Sequence, residues 1–157
     1  MKVSIAADNR GLGHKSKVKV LLERLGHEVI DHGAHTKESV DYPDFGALVA
    51  EDVAEGKVDT GIAICMTGNG MNMTVNRFPG IRGALVLSAE MARLARAHNG
   101  ANVLTLSEKF TPEEELEGIV TAWLETKFEG GRHENRVNKM RNLERGALPR
   151  PKHENTS

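Results

Sequence analysis

The residues with the clearest capacity for chemistry lie within residues 61–73, a segment that contains the chain's only cysteine. An apolar run ends at Cys65, and a turn with Thr67, Gly68 and Gly70 follows before a predicted helix. This order places a thiol, a hydroxyl and free backbone N–H groups at the carboxyl end of a strand, where open α/β sheets bind their ligands. N–H groups at a helix start can also stabilise an anion or a developing oxyanion. The segment therefore predicts an active site for chemistry on a small anionic molecule.

Two interpretations of Cys65 follow from its position. Cysteine is among the residue types most often buried in protein cores, so a packing role is the plainer interpretation. A thiol that faces a glycine turn and a helix start is favoured as thiolate, however, and could act as a nucleophile or a base. The turn is not a phosphate-binding P-loop, because no Gly-Lys-Ser/Thr sequence follows it.

Other polar residues fall near predicted strand ends or on the last predicted helix. Asp8 follows the first strand and could either line the site or cap the next helix. His98 and Asn99 precede the fifth strand, where a histidine often serves only as a helix C-cap. Arg132 and Arg136 lie one helical turn apart, so they could clamp a phosphate or form a solvated basic face.

Metal binding is not predicted. His14, His27, His32 and His35 have no metal-like spacing relative to Cys65.

Composition sets broad limits on the class of protein. The 157 residues are 39% hydrophobic and 27% charged, as in an ordinary globular domain. A formal charge of −1 and an aromatic content of 4% give no reason to expect a nucleic-acid or membrane partner. One cysteine cannot form an internal disulfide, and neither a signal-peptide pattern nor a membrane-spanning run is present, so we expect a cytoplasmic protein.

Strand-like and helix-like segments alternate along the chain. The predicted strands are residues 3–7, 27–30, 60–65, 81–87 and 101–106, and the predicted helices are 14–25, 44–55, about 71–77, 89–97 and 112–126. Tyr42 is expected outside the second helix, because a residue before proline disfavours helical geometry. The alternation predicts an α/β fold, a three-layer Rossmann-like open sheet of about five parallel strands with helices on both faces.

The β-α alternation ends at about residue 128. A Gly130-Gly131 hinge precedes a polar helix over about 132–145, whose apolar stripe is too narrow for the protein's own core. We therefore expect one domain over residues 1–145, with this helix lying across a second subunit. Residues 146–157 contain two prolines and few apolar side chains, which predicts a disordered tail.

Several of these segments together resemble the ribose-5-phosphate isomerase B and galactose-6-phosphate isomerase family, over residues 2 to about 143. The matching motifs are Asp8, Gly26-His27-Glu28-Val29-Ile30-Asp31 with Gly33, Ser39-Val40-Asp41-Tyr42-Pro43, Ile64-Cys65-x-Thr67-Gly68-x-Gly70, Asn76-Arg77-x-Pro79-Gly80-Ile81-Arg82, His98-Asn99-x-Ala101-Asn102-Val103-Leu104 and Phe128-Glu129-Gly130-Gly131-Arg132-His133. Their order and spacing make the resemblance a specific one.

The resemblance implies catalytic roles. Cys65 would move a proton between C1 and C2 of an open-chain sugar, and His98, assisted by Thr67, would open the furanose ring. The turn formed by Thr67, Gly68, Asn69, Gly70 and Met71 would offer N–H groups to the cis-enediolate.

The resemblance also implies the binding residues. Asp8, Tyr42 and Asn99 would line the sugar site, while Arg132 and Arg136 would reach the phosphate from the neighbouring chain of a homodimer, possibly within a tetramer. Such an isomerase needs neither a redox cofactor nor a metal.

The chain departs from the family pattern at three positions. Asn9 stands where a phosphate-binding histidine is usual, Lys109 where an arginine is frequent, and Met66 where glycine is common. The resemblance implies ribose 5-phosphate as the leading substrate, and these departures leave a tetrose phosphate or galactose 6-phosphate as alternatives. Two alternative functions remain, a non-catalytic sugar-phosphate binding protein and a cofactor-binding module. The cofactor-binding module is disfavoured because Gly11-Leu12-Gly13 lacks the third glycine of a dinucleotide-binding loop.

Overall fold

The computed structural model describes residues 1–148 and residue 151, so most of the tail predicted to be disordered lies outside the described residues. The strands are β1 (Lys2–Ala7), β2 (Glu28–Asp31), β3 (Thr60–Cys65), β4 (Gly83–Leu85) and β5 (Val103–Ser107). The helices are α1 (Leu12–Arg24), α2 (Tyr42–Ala54), α3 (Asn69–Val75), α4 (Ala89–Asn99), α5 (Leu116–Glu125, preceded by a 3₁₀ turn at Glu113–Glu115) and α6 (Arg132–Glu144).

The strands form one parallel sheet in the order β2-β1-β3-β5-β4, which confirms the predicted α/β architecture. From β1 the chain first adds β2 on one side and then crosses to add β3 on the other side. This reversal leaves a crevice between the carboxyl ends of β1 and β3, and open parallel sheets bind ligands in such crevices.

Alternation along the strands produces two cores, one on each face of the sheet. The first contains Ile62 and Ile64 of β3 with apolar residues of α1, α4 and α5. The second contains Ala63 and Cys65 of β3 with residues of α2 and α3. Because successive strand residues point to opposite faces, the Cys65 side chain lies on the α2/α3 side.

Helix α6 packs against α4 and stands apart from the sheet. Its Val137 is buried, but Met140 and Leu143 remain 39% and 49% exposed. The narrow apolar stripe predicted for this helix is therefore only partly covered within the chain. Among the described residues, none of the helices combines the length and apolar character that a membrane crossing requires.

Two elements differ from the sequence predictions. Tyr42 is the first residue of α2 rather than a residue before it, because Pro43 occupies the first turn, where a missing N–H costs no helical hydrogen bond. Strand β4 contains three residues instead of the predicted seven. The N–H of Ile81 donates to the Phe78 carbonyl and that of Arg82 to the Asn102 side chain, so neither joins the strand ladder.

A buried ion pair fixes the loop that leads from β2 to Tyr42. The Lys15 ammonium donates to both oxygens of Asp31 at 2.8 and 2.9 Å, and the Gly33 N–H donates to the same carboxylate at 2.9 Å. Burial by itself would raise the pKa of Asp31, but these donors and the nearby Lys19 charge bring it below its ordinary value. The charged carboxylate therefore holds one side of the crevice in place.

Candidate active site

A cavity of about 360 Å³ opens at the carboxyl edge of the sheet, where β1 and β3 end. It is lined by Asp8, Arg10, Tyr42, Cys65, Met66, Thr67 and Gly70. These residues come from the ends of two adjacent strands and the first turns of α2 and α3. Five of the predicted site residues are thus brought together, at the place that the strand order favours.

Cys65 ends β3 and is only 4% exposed, yet it lines the cavity. Both sequence interpretations of this residue therefore describe part of its environment. Its backbone is held firmly, because it pairs with Ser107 of β5 and its carbonyl accepts the Glu108 N–H at 3.0 Å. The thiol is positioned by the sheet rather than by a loop.

The turn after Cys65 leaves two backbone donors without an acceptor among the described residues, at the start of α3. Gly68 has a φ of 83°, a left-handed conformation that glycine adopts without steric cost. The Thr67 hydroxyl accepts the Asn69 N–H at 3.2 Å. The N–H groups of Gly70 and Met71 donate to no acceptor within the described part of the chain. They remain available to an oxygen of a bound ligand.

Gly70 is required for the packing of Tyr42 on the cavity wall. A Cβ atom at Gly70 would lie 2.6 Å from Cε2 and Cζ of the tyrosine ring. This distance is far below van der Waals contact, so only glycine allows the two elements to approach so closely.

We expect Gly70→Ala to raise KM for the substrate about tenfold, or about 1.4 kcal/mol of binding, because the added methyl group displaces the Tyr42 ring. Gly118→Ala is the matched control, since its Cβ would lie 3.8 Å from the nearest atom, an ordinary contact. Steady-state kinetics of both variants provide the measurement. An unchanged KM in Gly70→Ala would show that the tyrosine ring plays no part in binding.

Asp8 is the ionisable carboxyl group of the cavity and is 7% exposed. Burial raises its pKa, although the N–H groups of Arg10 and Gly11 and the Arg10 charge partly oppose the rise. The Arg10 N–H donates to one carboxylate oxygen at 3.0 Å, which holds the turn between β1 and α1. A carboxyl group with a raised pKa is suited to exchange a proton with a sugar hydroxyl.

Four predicted residues are not among those that line this cavity. Asn9 uses its carbonyl oxygen to accept the Val40 N–H at 3.2 Å. Met71 is fully buried in the core on the α2/α3 side. Asn69 is exposed, and the Lys109 ammonium lies 5.6 Å from the Phe110 ring centroid.

The remaining predicted residues lie at the opposite edge of the sheet. Helix α4 returns the chain from the end of β4 to the start of β5, so His98 and Asn99 lie beside the amino end of β5. Cys65 pairs with Ser107 at the other end of that strand, about 13 Å further along. Within one chain, His98 and Asn99 are therefore separated from Cys65 by the length of the sheet.

Helix α6 brings its first turn to the same amino edge. The His133 ring stacks on His98 with centroids 4.2 Å apart, and the Glu129 carboxylate lies 3.8 Å from His98 Nε2 and 3.4 Å from His133 Nε2. Arg132 and Arg136 are exposed beside them. We call the group formed by His98, Asn99, Arg132, His133 and Arg136 the amino-edge cluster.

The amino-edge cluster is cationic and partly desolvated. Burial, followed by the neighbouring His98 and Arg132, lowers the pKa of His133 and favours its neutral imidazole. The side chains of His98, Glu129 and His133 lie within 4.8 Å of one another, as in some metal sites. The two imidazole planes are inclined by only 11°, however, so their in-plane lone pairs do not converge on one ion.

Sequence reasoning missed Arg10 and Met66 as cavity-lining residues. Arg10 follows Asp8 by two positions, and the tight turn that orients it is visible only in three dimensions. Met66 was noted only as a departure from a glycine pattern. The stacked His133 was likewise included in a motif without a role of its own.

The fold and the cavity define a Rossmann-like α/β protein in which a buried thiol lines a cavity at the carboxyl edge of the sheet. The chain belongs to the ribose/galactose isomerase family, whose model matches residues 3–140. Ribose-5-phosphate isomerase B of Escherichia coli is 39% identical over 143 residues, covering 91% of this chain and 96% of the relative.

Solved structures agree with this assignment. Ribose-5-phosphate isomerase B of Clostridium thermocellum superposes with a TM-score of 0.92 at 45% identity and covers 93% of this chain and 99% of its own. Ribose-5-phosphate isomerase B of Mycoplasma genitalium, with bound ribulose 5-phosphate, gives a TM-score of 0.88 at 40% identity, with coverages of 93% and 97%.

Proposed function

We propose that this chain is an aldose–ketose isomerase that interconverts ribose 5-phosphate and ribulose 5-phosphate through a cis-enediolate. The observation that carries the proposal is the cavity lined by Cys65, Asp8 and Gly70, whose N–H, like that of Met71, has no acceptor in the described part of the chain. The family assignment, and relatives named ribose-5-phosphate isomerase B, supply the substrate class.

Proton transfer is the role we assign to Cys65. Its thiolate removes the proton from C2 of the open-chain aldose, and the electron pair forms the C1–C2 double bond while the C1 carbonyl becomes an oxyanion. The O2 proton then passes to the O1 oxyanion, the thiol returns the first proton to C1, and the C2 carbonyl forms. Substrate and product contain the same atoms, so the step requires no external oxidant or reductant.

The N–H groups of Gly70 and Met71 stabilise the enediolate in this proposal. They are fixed by the start of α3 and need no reorganisation as negative charge develops. Asp8 exchanges the hydroxyl proton, because its raised pKa lies closer to neutrality than that of an ordinary carboxyl group. Tyr42 and the Thr67 hydroxyl complete the wall around the sugar.

A second copy of the chain supplies the amino-edge cluster in this proposal. His98 would open the furanose ring, Asn99 would bind the sugar, and Arg132 and Arg136 would bind the phosphate. The support is topological, since these residues lie at the opposite edge of the sheet from Cys65 in their own chain. The exposed Met140 and Leu143 of α6 offer apolar surface for such a homodimer.

We further propose that residues 1–145 act as one isomerase domain in the cytoplasm. Helices α1 to α5 pack on a single sheet and α6 packs on α4, and the family match extends over nearly this whole range. A reducing compartment would keep the Cys65 thiol available for proton transfer.

A panel of phosphorylated sugars tests the proposed function. We expect kcat/KM to be highest with ribose 5-phosphate, lower with a tetrose phosphate and lower still with galactose 6-phosphate. A different order would reassign the substrate while retaining the reaction. Thermal stabilisation by one of these sugars without turnover of any would instead identify a sugar-phosphate binding protein.

A further inference from the structure

Arg10 is the cationic side chain among the residues that line the Cys65 cavity. It is exposed, and it belongs to the same chain as the thiol. The other lining residues are one buried carboxyl group and neutral side chains. A single chain therefore already offers a guanidinium group to a phosphorylated substrate in this cavity, without residues from a second chain.

Among the described residues, the Arg10 side chain has no strong partner. Its Nη1 lies 3.0 Å from the Met66 sulfur, and a thioether is a weak acceptor. Within residues 1–148, no salt bridge to a carboxylate engages Arg10. A guanidinium group has five N–H donors in a planar fork, so most of them remain free for a phosphate.

The neighbouring residue cannot supply this positive charge. Asn9 has a neutral side chain, and its carbonyl oxygen is occupied by the Val40 N–H. The turn that holds Asp8 and Arg10 together directs Asn9 toward the loop before α2 and Arg10 toward the cavity. The positive charge on this side of the cavity therefore comes from Arg10.

We infer that Arg10 binds the phosphate group of the substrate from within the same chain, with Met66 supporting its guanidinium. This inference rests on the proposed function, since it assigns a further binding residue to the same site. Arg10 acts on the unreacting end of the sugar, so it contributes equally to binding substrate and transition state. Its loss should then change KM rather than kcat.

Three variants test the assignment: Arg10→Gln, Arg10→Lys and, as a matched control, Arg24→Gln. Arg24 lies at the far end of α1, is exposed and forms a salt bridge with Glu117, so its replacement removes the same charge away from the cavity. For each protein, KM and kcat are measured with ribose 5-phosphate. The inhibition constant of inorganic phosphate is measured as a second readout.

We expect Arg10→Gln to raise both KM and the phosphate inhibition constant at least about tenfold, with kcat changed by less than about threefold. Arg10→Lys should fall between wild type and Arg10→Gln, because it keeps the charge but loses the fork. The Arg24→Gln control should match wild type. Both constants within twofold of wild type in Arg10→Gln would overturn the inference, as would a loss confined to kcat.

Failure of the proposed function would be distinguishable from failure of this inference. If wild type turned over no sugar phosphate, the function would fail, and calorimetric binding of inorganic phosphate to wild type and Arg10→Gln would still decide the role of Arg10. If wild type were active and phosphate bound both proteins equally, only the inference would fail.

Discussion

Cys65→Ala is expected to lower kcat for the isomerisation at least about 10³-fold, because general acid–base groups contribute factors of this size. The variant removes the one group in the cavity proposed to exchange a proton with both C1 and C2. KM should change little, since the sugar and phosphate contacts come from other residues. The measurement is the rate of ribulose 5-phosphate formation, in a discontinuous or a coupled assay.

The Cys65→Ala protein also needs a test of its structure. The side chain is small and lies at the end of β3, so we expect an unchanged melting temperature and retained stabilisation by inorganic phosphate. A variant that binds phosphate normally and keeps more than a tenth of the wild-type rate would show that another residue is the base.

Mixing two inactive variants is expected to restore activity if the site is built from two chains. In a heterodimer of Cys65→Ala and His98→Ala, one site keeps both wild-type residues and the other lacks both. A purified heterodimer with two different tags should therefore have about half the wild-type activity per dimer, as the two-fold symmetry of an isologous dimer requires.

A second heterodimer tests whether activity returns when neither site contains all of its wild-type residues. Asp8→Ala combined with Cys65→Ala places both changes at the carboxyl edge, so each site of that heterodimer lacks one residue. We expect it to remain inactive. Activity in this control, or none in the Cys65→Ala and His98→Ala heterodimer, would contradict a site shared between chains.

Local sequence patterns predicted the part of the site that lies at the carboxyl edge of the sheet, around Cys65. The apolar run ending at Cys65 and the glycine turn after it place the thiol and the turn at the end of β3. The β-α alternation brings Asp8 to the same edge, because parallel strands share their carboxyl ends. Tyr42 joins them although its helix begins two residues earlier than predicted.

Features that depend on side-chain direction could not be predicted in this way. The sequence contains no indication that Asn9 turns toward Val40 while Arg10 faces the cavity. The separation of His98 from Cys65 was implicit in the predicted topology, since a crossover helix ends at the amino edge of the next strand. The stacking of His133 on His98 required the position of α6, which lies outside the sheet.

The most direct test of the central claim is proton NMR of ribose 5-phosphate incubated with the purified protein in deuterated water. We predict that ribulose 5-phosphate signals appear and that solvent deuterium enters at C1 of the ketose and C2 of the aldose. Cys65→Ala should produce neither change. Unaltered ribose 5-phosphate with the wild-type protein, or deuterium entry at an undiminished rate with Cys65→Ala, would contradict proton transfer by Cys65 through an enediolate.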